Sequence, residues 1–236
     1  MSTTFKDQKI IIAGGSSGIG LAAALQFQEL GGSVTVTGRN PDKLKSAQQY
    51  SLNTVALDST DRVALDRFFA GFGQADHLVV SLSGHKGMGN FDTLSLEVLR
   101  EGFEQKFWPV LHTVQAALPY IKKGGSITII SAISAIAKLS GTSGLGAING
   151  ALEIMVQVWA KEFDGIRINA VSPGIVDTNW WDFMSPEDKA QTFEQFIPNI
   201  KAGRVANAQE IAQAVLFVSG NGYMTGKVIG IDGGLF

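Results

Sequence analysis

The stretch Lys9–Leu30, KIIIAGGSSGIGLAAALQFQEL, decides how the rest of the chain is read. The apolar run Ile10, Ile11, Ile12 stops at a glycine-rich turn, and Leu21, Ala22, Ala23, Ala24 and Leu25 continue as a helix packed along most of its length. Strand, glycine turn and helix make a phosphate-binding arrangement. The helix start leaves N–H groups unpaired, and the positive end of its dipole faces the turn. Gly14, Gly18 and Gly20 carry no Cβ to hold a ligand or the neighbouring strand away. The spacing is G-x3-G-x-G, not the common G-x-G-x-x-G. Alone, the turn fits either a phosphate cradle or a ligand-free αβ corner.

Beyond this unit, β-type runs alternate with helical segments, which predicts an α/β fold: a Rossmann-type doubly wound parallel sheet of about seven strands in a single domain. The expected strands are 9–13, 33–37, 54–57, 77–82, 126–131, 167–171 and 228–231. Irregular sequence between Pro173 and Pro198 reads as an insertion over one edge of the sheet, lid-like at about 179–200. With 236 residues, 45% hydrophobic and only 17% charged, the chain can bury parallel strands under helices on both faces. A net charge of −2 without a basic run argues against nucleic acid or an anionic membrane as partner. The absence of cysteine excludes disulfides, thiolate nucleophiles and cysteine zinc sites. The start MSTTFKDQK has no signal-type apolar stretch, so a cytoplasmic protein is expected.

The second strand runs into Gly38-Arg39-Asn40-Pro41, where a carboxylate would grip the adenosine ribose diol of NAD. Arg39 stands there without an acid. A guanidinium suits a 2′-phosphate, which Ser16 and Ser17 are also placed to reach, so NADP(H) is expected over NAD(H). Asp58, at the end of the third strand, is read as an acceptor for the adenine amino group and, compatibly, as the cap of a helix starting near Thr60. The fourth strand ends in the small-residue turn Ser81-Leu82-Ser83-Gly84.

Four separated segments in order make the chain resemble the short-chain dehydrogenase/reductase family over its full length. They are Gly14-Gly15-Ser16-Ser17-Gly18-Ile19-Gly20, then Asp58, then the stretch from Arg167-Ile168-Asn169-Ala170-Val171-Ser172 to Pro173-Gly174-Ile175-Val176-Asp177-Thr178, and last Thr225 to Gly234. The resemblance implies that Pro173, Gly174, Val176 and Thr178 border the nicotinamide. It also implies that Ser83 and Gly84 stand beside the nicotinamide ribose, although the family's asparagine is missing there.

Reducing a carbonyl by hydride transfer needs a proton donor at the forming alkoxide. The family supplies it with Tyr, Lys, Ser and Asn. Aligned on Gly125-Ser126-Ile127, its serine falls on Ala132, its tyrosine on Leu145, its lysine on Asn149 and its asparagine on Lys106. Asn and Lys have thus changed places. The three tyrosines, Tyr50, Tyr120 and Tyr223, match none of these positions. The expectation is that Lys106 partly replaces the missing lysine while Asn149 bonds a ribose hydroxyl, or else that both are ordinary polar residues. The other candidate proton donors are His85 and a serine, Ser131, Ser134 or Ser143. Trp180 and Trp181 either line the pocket for an unidentified small-molecule substrate or anchor the insertion. His77 and His112 lack metal-ligand spacing, and no metal site is expected.

The segment 147–163 carries more apolar residues than one core-facing stripe needs, which points to a homodimer or homotetramer as in the family. Two functions remain open at this point: an oxidoreductase with an atypical proton route, or an NADP(H)-binding sensor or assembly partner without turnover.

Overall fold

Residues 4–236 are described by the computed structural model; Met1–Thr3, at the start of the amino-terminal stretch, lie outside the described residues. The isoleucine run forms β1 (Lys9–Ala13), and its side chains divide between two cores. Ile10 and Ile12 enter one cluster, Ile11 and Ala13 the other, as the two-residue repeat of a strand covered on both faces requires. Around it lie β2 (Ser33–Gly38), β3 (Asn53–Ala56), β4 (Ala75–Val80), β5 (Ile121–Ile130) and β6 (Arg167–Pro173). A short pair, β7 (Val176–Asp177) and β8 (Ala206–Asn207), stands apart, and β9 (Val228–Ile231) completes the main sheet. The order is β3-β2-β1-β4-β5-β6-β9, with every pairing parallel.

The helices are α1 (Gly18–Glu29), α2 (Pro41–Gln48), α3 (Arg62–Phe72), α4 (Leu96–Gly102), α5 (Trp108–Ala117), α6 (Ser134–Ala137), α7 (Ser143–Glu162), α8 (Pro186–Phe196) and α9 (Ala208–Gly220). Ala22, Ala23, Ala24 and Phe27 of α1 pack with Ile211, Ala212 and Val215 of α9 over one face. Leu65 and Phe69 of α3, Val110 and Val114 of α5, and Leu152 and Val156 of α7 cover the other. Strand order reverses between β1 and β4, which opens a crevice at the carboxyl ends of the strands. Among the described residues no helix is long and apolar enough to cross a membrane, and no group of three or more His, Asp or Glu side chains is arranged to hold a metal ion.

Three strands differ from the sequence reading by two residues or more: β4 starts at Ala75, β6 runs on to Pro173, and β5 is the furthest shifted. β5 begins at Ile121, not Ser126, because Lys122-Lys123-Gly124-Gly125 is absorbed into the strand as an irregularity instead of ending it. A Cβ on Gly125 would stand 2.5 Å from Asp76 O, so the glycine is needed for close strand contact. β4 ends at Val80, and Ser81 and Leu82 belong to the turn that enters the site.

His77 lies inside β4, buried, with Nδ1 2.8 Å from Ser126 Oγ and Nε2 2.9 Å from Gln8 Oε1. Burial, helped by the Arg167 cation, lowers its pKa from 6.5 to about 4. The unfolded chain therefore takes up a proton that the folded chain refuses as pH falls from 6.5 toward 4. Stability should be unaffected by this group above pH 6.5 and should drop by roughly 3 kcal/mol across that window. Urea unfolding from pH 7 to pH 4, with His77→Asn showing a flatter profile, checks this.

Candidate active site

The crevice is a continuous cavity of about 560 Å³ that runs from the β1–α1 turn past the ends of β4, β5 and β6 to α8. At the first end, Gly14 has φ +78° and donates its N–H to Thr37 O, and a Cβ there would meet Ser81 O at 2.5 Å. A Cβ on Gly20 would press the Gly14 carbonyl, and one on Gly15 would lie 2.7 Å from Val36. Gly15 does not stand out in the sequence: its need comes from a β2 side chain that no local motif shows. Gly18 has φ +54° and opens α1, whose cap Ser17 makes no capping bond with its side chain. Ser17 Oγ instead accepts Asn179 Nδ2–H at 3.2 Å. Ser16, Ile19, Arg39 and Asp58 line the same end.

Arg39 is exposed at the cavity's rim, and Lys43, absent from the sequence reading, joins it from the first turn of α2. Neither makes an ion pair among the described residues. Asp58 does not cap a helix. Asp61 caps α3 by accepting Ala64 N–H, and Asp58 Oδ1 accepts both the N–H and the hydroxyl of Thr60. The local Asx turn moves the helix start to Arg62 and keeps Asp58 on the cavity wall.

The middle of the cavity is bounded by Ser83, Gly84, Pro173, Gly174, Val176 and Thr178. Thr178 Oγ1 accepts Trp180 N–H at 3.2 Å, which caps the short turn Asn179–Trp181. Both tryptophans line the cavity. Trp181 is buried and donates Nε1–H to Val176 O, which also anchors the segment; Trp180 is half-buried and donates Nε1–H to Gly84 O. His85 lines the cavity with its ring stacked on Phe183, centroids 4.7 Å apart. Met88, Leu139, Met184 and Phe196 add apolar surface there, among the polar side chains of Lys86, Gln105, Thr142 and Thr192.

Ala132 and Leu145 both border the cavity, and no tyrosine does. Tyr223, four residues before Lys227, is fully exposed. Lys106 and Asn149 are both buried on the cavity wall. Lys106 arises from a π-helical turn, Phe103–Phe107, between α4 and α5. Pro109 explains that turn: it has no N–H to give the helix and its ring crowds the preceding turn, so the backbone widens there. Lys106 Nζ donates to Ser131 O at 3.2 Å and has no other hydrogen-bond partner among the described residues. Burial lowers its pKa from 10.5 to about 8, with the Glu153 carboxylate acting in the opposite direction. Asn149 Nδ2 donates to Leu145 O and Ser134 Oγ, which leaves Oδ1 buried without a partner.

Ser131 does not offer its hydroxyl to the cavity. Its Oγ donates to Glu153 Oε1 at 2.7 Å and lies 3.3 Å from Val171 O, leaving only its carbonyl toward Lys106. Ser134 lines the cavity; its Oγ accepts Asn149 Nδ2–H, and its own hydroxyl proton is engaged by no acceptor among the described residues. Ser143 does not border the cavity.

A doubly wound parallel sheet with a glycine turn, free cations and a crevice at its switch point defines a nucleotide-binding α/β protein. The chain belongs to the short-chain dehydrogenase/reductase family: the family model described as enoyl-(acyl carrier protein) reductase matches residues 13–236. It is similar to the 3-oxoacyl-(acyl-carrier-protein) reductase FabG of Thermotoga maritima, 31% identical over 246 residues, 95% of this chain and 96% of the relative. A small-chain dehydrogenase solved in complex with NADPH is 30% identical, with a TM-score of 0.85 over 97% of this chain and 98% of that one. A short-chain oxidoreductase from Pseudomonas aeruginosa PAO1, solved with NADPH bound and described as containing an atypical catalytic center, is 27% identical. Its TM-score is 0.90 over 100% of this chain and 99% of that one.

Proposed function

We propose that this chain is an NADP(H)-dependent oxidoreductase that reduces a small carbonyl compound or quinone, with Lys106 in place of the family's tyrosine as the source of the proton. The observation that carries this reading is the Lys106 ammonium, buried on the cavity wall with one hydrogen-bond partner, beside the unpartnered Asn149 Oδ1. A buried ammonium with donors to spare and an amide oxygen without one are a site that expects polar groups from a ligand.

The residues present fit a dinucleotide. Gly14 and Gly18 line the cradle, where a Cβ on Gly18 would crowd Asn179 and Thr178, while Gly20 lies outside the cavity wall and is required by the Gly14 carbonyl. Ser16, Arg39 and Lys43 would hold a 2′-phosphate, Asp58 the adenine, Ser83, Gly84 and Asn149 the nicotinamide ribose, and Pro173 to Thr178 the nicotinamide. NADPH supplies a hydride when bound. Lys106 Nζ then hands a proton to the substrate oxygen and regains one from solvent; Trp180 and the segment 179–200, as a lid, exclude water from that end. The NADPH-bound relatives support the cofactor assignment.

The far end of the cavity carries Lys86 and Lys106 but no carboxylate on its wall, which disfavours a cationic substrate. Quinones suit the site best, because hydride transfer to a quinone yields a stabilised phenolate and depends less on a positioned acid. Ile154 and Val158 of α7 and Trp108 of α5 are exposed large apolar residues, which supports a homo-oligomer, and a cytoplasmic setting fits the cysteine-free composition.

Leu145 and Ala132 in the places of the family's tyrosine and serine favour a second reading, an NADP(H)-binding protein without turnover. Two measurements divide the possibilities. Calorimetry should show NADPH binding that weakens about 10- to 100-fold in Arg39→Ala while NADH binding stays the same. NADPH oxidation followed over a panel of quinones, aldehydes and ketones should show turnover, quinones fastest. Binding without turnover on any acceptor would leave the sensor reading standing.

A further inference from the structure

Glu153 lies one helical turn beyond Asn149 on α7 and is buried, at 7% exposure. A carboxylate in a core of this kind is costly unless it is hydrogen-bonded and its charge is balanced. The hydrogen bonds are present: Glu153 Oε1 accepts Ser131 Oγ–H at 2.7 Å and Ser172 Oγ–H at 2.8 Å. Both donors are neutral, so they leave the charge unmatched. The cation on the far side of Ser131 is Lys106, whose Nζ donates to the Ser131 carbonyl at 3.2 Å. Ser131 therefore touches both charges, with its hydroxyl on the carboxylate and its carbonyl on the ammonium.

We propose that Glu153 is a positioning residue: its carboxylate is the counter-charge that keeps the Lys106 ammonium protonated and seated at the back of the cavity, acting through Ser131. The other charged groups around Lys106 are differently engaged. Glu101 is exposed and paired with Lys86, and Glu104, on the same π turn, is exposed. Among the described residues Glu153 is the one charged group that acts on Lys106, and it opposes the effect of burial. The arrangement also explains why Ser131 is a core residue and not a catalytic one, since its hydroxyl completes the carboxylate's shell. The functional meaning of this pairing rests on the reading of Lys106 as proton donor, but its test does not.

Glu153→Gln retains an oxygen to accept both serine hydroxyls and removes only the charge. In protein labelled with carbon-13 at the lysine ε-carbons, the Lys106 signal is assigned by its loss in Lys106→Met and followed with pH. The expected result is a Lys106 titration near 8 in the parent protein, at least about one unit lower in Glu153→Gln and restored toward the parent in Glu153→Asp. A Lys106 titration that coincides in the parent and Glu153→Gln overturns the proposal. Should Glu153→Gln fail to fold, Lys106→Met gives the reciprocal measurement. Its urea midpoint should fall relative to the parent as pH rises from 5 to 8, because the buried carboxylate has lost its counter-charge; parallel pH profiles overturn the proposal. If Lys106→Met leaves turnover intact, the proton-donor reading fails while the pairing is still decided by the titration.

Discussion

Gly14→Ala should weaken NADPH binding by about 100-fold and lower the melting temperature by about 5–10 °C. Two independent costs meet at this residue. Its φ of +78° is a conformation that an L side chain adopts only with strain, and its Cβ would lie 2.5 Å from the carbonyl oxygen of Ser81. Neither obstacle is a flexible side-chain end that can swing aside. Both strand ends would have to part, at a cost of roughly 3 kcal/mol. Gly14 and Ser81 follow the ends of β1 and β4, which flank the switch point, so the same parting displaces the turn against the phosphates. A shift of about 1 Å in such a cradle is enough for a loss of about 100-fold. Gly71→Ala is the internal control: it lies in α3 with nothing within 4 Å of an added methyl group, and it should stabilise by about 0.5–1 kcal/mol. Calorimetric titration and thermal melts of the two variants separate a local steric effect from a general intolerance of glycine replacement. Binding by Gly14→Ala within a few-fold of the parent would refute the account of the turn.

Much of this is legible in the sequence because it depends on local chemistry. The isoleucine run, the glycine turn and the alanine-rich helix each carry their own periodicity, and β1 and α1 lie where that periodicity puts them. Legibility falls wherever a residue's role is set by a partner far along the chain. Gly15 is required by Val36, and Asn179 is joined to Ser17 across 162 positions. Ser131 reads as a candidate hydroxyl because Glu153, which accepts its hydrogen bond, reads in the sequence as one charge within an apolar helix. Helical arithmetic holds the missing signal: Asn149 and Glu153 are four apart, so both face one side of α7. Asp58 and Asp61 are hard to separate for a simpler reason, since two good caps stand three residues apart and only backbone geometry distinguishes an Asx turn from a cap. Pro109 is the one visible sign of the π turn, since it breaks the helix where Lys106 needs to turn inward.

Lys106→Met should reduce turnover by roughly 100-fold or more while leaving the fold intact, and this bears most directly on whether the altered site works. Methionine keeps the apolar length of the stem and removes the ammonium, so the change isolates charge and proton. In the parent protein, reduction should slow as pH rises above about 8, because Lys106 must be protonated to donate and its pKa is pushed down to about 8 by burial. The direction follows from the acid role: protonated below that pH, spent above it. In Lys106→Met that limb should vanish and the residual rate should be flat over the same range. The ammonium's attraction for the bound dinucleotide should also be lost, so NADPH affinity should weaken by several-fold without the selectivity change expected of Arg39→Ala. These responses distinguish Lys106 from His85, another titratable side chain on the cavity wall, for which His85→Phe keeps the stacking on Phe183 and removes only the imidazole's acid–base chemistry. Unchanged affinity together with unchanged turnover in Lys106→Met would end the proposal that this lysine carries the proton. With Leu145 and Ala132 where the family keeps its hydroxyls, the proton would then have to come from Ser134, His85 or water in the cavity.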